Sequence, residues 1–400
     1  MPILKPFNAI QAKPEYIQQV TSNSANYSSE EELAKEMFAN DLSFLHVTKN
    51  HMISSNTSRE SAAVYDNAKS YFDYLFDNQI VDRFKDEIFF VYRQTYNDIS
   101  HTGIIGLCDI LDYQNEKILK HEHTRPATER FIENLVEETN IIGEPLLLSH
   151  HHKQSLEDLL RWVIQGESDV TFTKKGKTHQ MWVVQDNDVI ESIQNEVAEI
   201  GSFYIMDGHH RAASVSNLYL ENEDNDKRYC MTYLLDCNQL KINPFHRIVR
   251  SSDLSVEAVF NALNESFWVD EMPDYAVRPE ESGEFVLKCT AGTFRLKLKN
   301  VVELLDVQEF EKKVLSVIFG IKDSRLDDRI EFISTDEALT EAVVQAQSPD
   351  TYLFLLHPCN FEDVALISDN GEYMPPKSTF VQPKCDAGLF MQRYGVVEED

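Results

Sequence analysis

The sequence predicts an α/β protein of two or three packed units, and three observations predict it. A chain of 400 residues exceeds one average domain. With 42% hydrophobic and 26% charged residues and only 13 Gly and 13 Pro, it has ordinary globular usage, which excludes collagenous, disordered and disulfide-scaffold classes. Between about 112 and 240, short apolar runs alternate with amphipathic stretches, the pattern of strands joined by helices.

Residues 1–110 mix helices and short apolar runs and are expected to form an N-terminal α/β region. The Ser-Ser-Glu-Glu-Glu-Leu segment at 28–33 predicts a helix start, with Ser28 or Ser29 as cap and acids in the first turn; Ser58–Asn78 carries an amphipathic pattern. Glu87–Thr95 and Thr102–Leu111 read as strands. From 111 to 240, a helix near 127–140 precedes the apolar run 145–149. A further helix, a hairpin over 168–184 and a helix near 188–200 lead to the strand 202–207, the helix 209–221 and the strand 228–235. The remainder, 241–400, is a C-terminal α/β region with strands near 285–298 and 352–356 and helices near 306–318 and 335–347.

Charge limits the partners. Thirty-seven basic against 67 acidic residues leave a formal net charge of −30, which opposes attachment to nucleic acid or anionic lipid. The six cysteines include no CxxC pair and are expected to be reduced thiols. The N-terminus lacks an apolar signal region, and no run approaches the length of a membrane span, so a cytoplasmic protein without membrane partners is expected.

The sharpest chemical feature is Asp207-Gly208-His209-His210-Arg211 directly after an apolar strand. Gly208 permits a tight strand-to-helix turn, and the first helical turn presents unpaired N–H groups, a geometry suited to phosphate. Arg211 adds a forked cation, His209 and His210 stand in the same turn, and Asp207 can hold Mg²⁺. The alternative is a polar turn with Asp207 as cap. The second feature is His121-Glu122-His123-Thr124-Arg125 with Arg130. Glu122 can act as a proton acceptor in a cleft, and Thr124, Arg125 and Arg130 are candidate substrate contacts. A zinc protease is excluded, because Arg125 stands where the second histidine of HExxH belongs. The alternative is a solvated helix start capped by Thr124 with Arg125 paired to Glu129. The third feature, 372–384, is an extended Pro-rich segment carrying Lys377, Ser378, Thr379 and Lys384: a surface strap, or a flap returning Lys377 to the phosphate pocket.

Two further patterns carry no function. Gly176-Lys177-Thr178 lacks the first glycine of a P-loop, since Thr171 stands there, and reads as a hairpin turn. His150, His151 and His152 are consecutive and cannot all face one ion, so they read as a loop.

In this order, His121–Thr124 with Arg130, the strand and box at 203–211, NPFHRIV at 243–249 and MPPKSTFVQPK at 374–384 resemble a large bacterial and archaeal family catalogued as a domain of unknown function. Residues 5–7 and 43–47 fit its N-terminal pattern, so the resemblance spans nearly the whole chain. The central boxes also resemble the free L-serine kinases, whose catalytic domain has the ParB/sulfiredoxin-like fold. In those enzymes a Glu in an HE motif is the base on the serine hydroxyl, and the Asp, His and Arg of a DG-x-HR box handle phosphate and metal.

The resemblance therefore implies a ParB/sulfiredoxin-like nucleotide-binding catalytic domain over 111–240, flanked by N- and C-terminal α/β regions. It implies Glu122 as base and Asp207, His210 and Arg211 as phosphate and Mg²⁺ residues. The expected activity is a kinase that uses ATP or ADP and Mg²⁺ to phosphorylate a small hydroxy amino acid, free L-serine first. The alternatives are a ParB-like nucleotide switch, which would need the box but not Glu122, and a sulfiredoxin-type reductase. The reductase is disfavoured because His209 and His210 occupy the place of its cysteine.

Overall fold

Short apolar runs within Phe89–Tyr96, Leu146–His150, Phe203–Asp207 and Tyr229–Asp236 become strands of one sheet. Such runs are buried on both faces, so they carry little alternation of polar and apolar residues. The computed structural model describes residues 1–23, 30–53, 61–222, 225–273, 278–300 and 305–395. Ser28, Ser29 and Ser58, expected at helix starts, lie outside the described residues.

The chain divides into two compact units. The first contains Met1–Lys120, Thr124–Leu240 and the residues from Pro383 on; the second contains His121–His123 and Lys241–Gln382. Strands from residues 1–110 and from 111–240 share the sheet of the first unit.

Among the described residues the first unit builds a nine-stranded sheet from β1 (Leu4–Lys5), β2 (Phe89–Tyr96), β3 (Ile99–Asp109), β4 (Ile118–Leu119), β5 (Leu146–His150), β6 (Val170–Lys174), β7 (Lys177–Val184), β8 (Phe203–Asp207) and β9 (Tyr229–Asp236). The order is β4-β8-β5-β9-β3-β2-β7-β6, with β1 on β3. Its longer helices among the described residues are α1 (Glu30–Ala39), α2 (Ala62–Asp77), α3 (Pro126–Thr139), α4 (Gln154–Val163), α5 (Asn187–Ala198) and α6 (His209–Asn222). The expected hairpin over 168–184 is β6–β7, closed by Lys175 and Gly176 with φ of 48° and 78°, the two positive values that a two-residue turn of matching twist requires. Strand β3 begins at Ile99, earlier than expected. Asn97 and Asp98 make the same kind of turn, with φ of 48° and 62°, and so extend the β2–β3 ladder to its tip.

The last described residues belong to the core of the first unit. Leu389, Phe390 and Met391 are fully buried, and the Gln392 side chain accepts from the Met231 N–H at 2.8 Å and donates to the Tyr229 carbonyl at 2.8 Å.

In the second unit, β10 (Lys241–Asn243) pairs with a strand late in the chain. The main sheet uses β11 (His246–Arg250), β12 (Phe267–Met272), β13 (Glu284–Cys289), β14 (Gly292–Leu298), β15 (Ile330–Ile333) and β16 (Thr351–Leu356), in the antiparallel order β12-β14-β13-β16-β11-β15; β17 (Phe380–Gln382) is the partner of β10. The helix expected over 306–318 is α-helical only at Asp306–Phe310 and widens into a π-helical turn at Glu311–Ser316. Among the described residues no helix is long and apolar enough to cross a membrane, and the six cysteines are free.

Candidate active site

Strand β8 ends at Asp207, and α6 begins two residues later at His209. Gly208 joins them with φ of 97°, a conformation that costs a side chain about 1–2 kcal/mol. A Cβ there would stand 2.9 Å from Arg211 Nη2 and 3.1 Å from Leu146 Cδ2. The glycine therefore leaves room for Arg211 to fold back over the turn.

Arg211 uses that room. Its Nη1 donates to Glu144 Oε2 at 2.8 Å, and its Nη2 donates to Asp207 Oδ2 and to the Pro145 carbonyl, each at 3.1 Å. Arg211 Nε is buried with no hydrogen-bond partner among the described residues. The other oxygen of Asp207 accepts from the Lys384 ammonium. Two cations thus meet two carboxylates at the N-terminus of α6. Burial works to raise the Asp207 carboxyl, but Lys384 and then Arg211 outweigh it and hold the group well below the ordinary carboxylate range. Burial likewise opposes the charge of Arg211, and Glu144 and Asp207 overcome it.

His210 Nε2 accepts the backbone N–H of Arg125 at 3.1 Å, which ties α6 to the start of α3. Arg125, not Thr124, is the N-cap of α3, because Pro126 occupies the first helical turn, where its missing N–H costs nothing. Arg125 and Arg130 are exposed, Thr124 is half-buried, and all three belong to the first unit. His209 is buried.

Glu122 falls in the second unit, half-buried within His121–His123. The segment 373–379 grips the residues on either side of it. The Met374 N–H donates to the His121 carbonyl at 2.8 Å, His121 Nε2 lies 3.4 Å from Thr379 Oγ1, and the His123 ring stacks on Tyr373 with centroids 3.7 Å apart. Arg247 of the NPFHRIV box holds that segment in turn. It is fully buried and donates to the carbonyls of Phe245 at 2.6 Å, Lys377 at 2.9 Å and Pro376 at 3.4 Å. Burial pulls its guanidinium down to about 10, against the opposing charge of Glu311.

The lysine of the C-terminal segment that meets the box within the first unit is Lys384. Lys377 lies in the second unit, exposed, with its ammonium 5.5 Å from the Phe245 ring centre, whereas Lys384, seven residues on, reaches Asp207. Sequence reasoning also missed Glu144, Arg247 as a buried clamp, and the return of 383–395 to the first unit. Lys384 carried a signal, a cation directly after Pro383 in an acidic chain; Glu144, in a turn before β5, carried none.

Among the described residues no cluster of three or more His, Cys, Asp or Glu could hold a metal ion by itself. A Mg²⁺ that arrives with a nucleotide needs only one or two protein carboxylates, and Asp207 is held in the ionised form such a ligand requires. The two oxygens of Asp207 are engaged by Arg211 and Lys384, so a Mg²⁺ on Asp207 would take the place of one of these cations.

The family described as "Protein of unknown function (DUF1015)" matches residues 4–314, and the chain belongs to that family. No curated protein matches the sequence significantly. Several solved structures are similar at low identity. They include SbnI with a C-terminal truncation from Staphylococcus aureus (14% identity, 71% of this chain and 85% of that one, TM-score 0.42), a mutant free serine kinase in complex with ADP (18%, 71% and 91%, 0.38) and a conserved hypothetical protein from Pyrococcus furiosus (15%, 71% and 94%, 0.37).

Proposed function

We propose that the protein is a nucleotide-dependent kinase that phosphorylates the hydroxyl of a small metabolite, with free L-serine as first substrate and O-phospho-L-serine as product, using ATP or ADP. The observation that carries the reading is the box at β8–α6. There a positive-φ glycine folds Arg211 back beside a helix N-terminus, with Lys384 on the same carboxylate. The central boxes, which resemble those of the free L-serine kinases, support it. In this reading 111–240 is a ParB/sulfiredoxin-like catalytic part.

Phosphoryl transfer asks the protein mainly for positioning and charge. Glu122 accepts the substrate hydroxyl proton as that oxygen forms its bond to the terminal phosphorus; the bond from phosphorus to the nucleotide oxygen breaks, and the nucleotide leaves with the electron pair. The N–H groups of Gly208 and His209, with His210 and Arg211, stabilise the charge on the transferring oxygens, and Lys377 is a further candidate cation. Thr124, Arg125 and Arg130 hold the amino acid. Asp207 would hold Mg²⁺, which supplies neutralisation of the phosphate charge when bound.

A nucleotide-binding switch is the second reading; it uses Asp207, Gly208, His210, Arg211 and Lys384, which the first unit brings together by itself, and does not need Glu122. The test is Glu122→Gln. Under the kinase reading turnover is abolished while nucleotide still raises the thermal midpoint, a stabilisation of about 2.7 kcal/mol at a hundredfold excess over Kd. Loss of nucleotide binding in that variant would remove Glu122 from the base role. Nucleotide binding by wild type without any product would favour the switch.

A further inference from the structure

The first unit has a concave site at the other end of β5 from the box. Asp207 of β8 pairs with Leu147 near the start of β5, whereas the pocket opens beside His150 at its end. Its volume is about 230 Å³, comparable to the liquid volume of roughly eight water molecules and so to a ligand of on the order of eight to twelve non-hydrogen atoms. Ile104 of β3 and Leu234 of β9 form an apolar floor, and Leu156 and Leu160 of α4 form an apolar wall.

Two polar groups converge on this apolar space. Arg93 donates from Nε to Thr102 Oγ1 at 3.1 Å and lies over the Trp182 ring at 5.5 Å, so its fork is held in place. Among the described residues it is paired with no carboxylate, in a chain where acids outnumber bases 67 to 37. The other charged groups around the pocket satisfy one another. Asp236 accepts from His152 at 2.9 Å, Lys153 N at 3.0 Å and Asn238 N at 2.9 Å, and Arg161 holds Glu157 at 2.8 Å. His150 is 2% exposed, with Nδ1 2.8 Å from the His151 carbonyl. That contact fixes the ring proton on Nδ1 and leaves Nε2 an acceptor; burial, which lowers the pKa of the ring, keeps it neutral.

We propose that this pocket binds a small carboxylic acid with a branched or aromatic chain and a hydrogen-bond donor beside its carboxylate, that is, an apolar α-amino or α-hydroxy acid. The carboxylate takes the fork of Arg93, the donor takes His150, and the chain lies against Leu156, Leu160, Ile104 and Leu234. The site requires neither Glu122 nor the Asp207–Arg211 box, so it stands or falls apart from the kinase reading.

Calorimetric titration of the full chain with L-leucine, L-phenylalanine and 2-hydroxyisocaproate tests it, with isoamylamine as the analogue that lacks a carboxylate. Saturable binding of at least one acid is expected, with no binding of the amine. Arg93→Met should weaken it at least about tenfold, Arg93→Lys less, and Leu160→Trp, which fills the pocket from α4, should abolish it; Arg211→Met should leave it unchanged. Absence of saturable binding by all three acids at about 10 mM would overturn the proposal, as would binding that survives both Arg93→Met and a folded Leu160→Trp variant. If Leu160→Trp does not fold, the graded loss through Arg93→Lys and Arg93→Met decides alone.

Discussion

Replacing Lys384 by Met removes the ammonium from Asp207 while keeping most of the side-chain stem. The Lys384 and Asp207 side chains are 26% and 32% exposed, which places the pair between two limits. Exposed ion pairs contribute about 0.2–1 kcal/mol, and breaking one partner of a buried pair costs about 3–5 kcal/mol. A cost of about 1–3 kcal/mol follows, and the Asp207 carboxyl rises towards the ordinary carboxylate range. The assay is a double-mutant cycle of Lys384→Met and Asp207→Asn, followed by urea unfolding at pH 7. Trp162 and Trp182 lie in the first unit and Trp268 in the second, so a Trp268→Phe background makes tryptophan fluorescence report on the unit that holds the pair. The pH dependence has a definite sign. The folded-state pKa of Asp207 is depressed, so its contribution is present above the ordinary carboxylate value and is lost as pH falls through the folded value; Lys384→Met should flatten that acid limb. A coupling energy below about 0.3 kcal/mol would refute the claim that the returning C-terminal segment fixes the charge at the site.

Three other outcomes follow from the same geometry. Gly208→Ala should cost about 2–4 kcal/mol in urea unfolding, from its φ of 97° together with the 2.9 Å contact to Arg211, and should weaken nucleotide binding; a neutral substitution would contradict the folded-back arginine. Arg247→Met should release the 373–379 segment, seen as faster hydrogen exchange at the Met374 amide and as loss of the ring-current shift that Tyr373 imposes on His123, whereas unchanged shifts would deny Arg247 its clamping role. His179 is fully buried and held down to about 4, chiefly by desolvation, so it binds its proton more weakly folded than unfolded. Stability should fall as pH drops from about 6.5 towards 4, and a His179→Gln variant should show a shallower fall in the same unfolding series.

Local sequence carried much of the fold. The buried strands around 89–96, 146–150, 203–207 and 229–236 are short apolar runs between turn residues, and each lies within a residue or two of where it was expected. Periodicity could not show which strand pairs with which. That β8 lies between β4 and β5, and that residues 383–395 rejoin the first unit after the whole second unit has intervened, are long-range facts set by packing. The candidate site divides the same way. The Asp207–Arg211 box was legible because a strand, a positive-φ glycine and a helix start leave a local signature. Glu144 was not, and Lys384, conspicuous as a cation after Pro383, gave no sign of its partner, because both contacts are long-range. Lys377 attracted attention as the most conspicuous cation of its segment, yet its φ of 55° places it in a turn whose carbonyl serves Arg247.

The most direct test of the kinase reading is a phosphoryl-transfer assay of the full chain with Mg²⁺, ATP or ADP, and a panel of free hydroxy amino acids, read by detection of the phosphorylated product. O-phosphoserine formed by wild type and absent with Glu122→Gln is the predicted result. No phosphorylated product with either donor across the panel, while nucleotide still stabilises the fold, would contradict it.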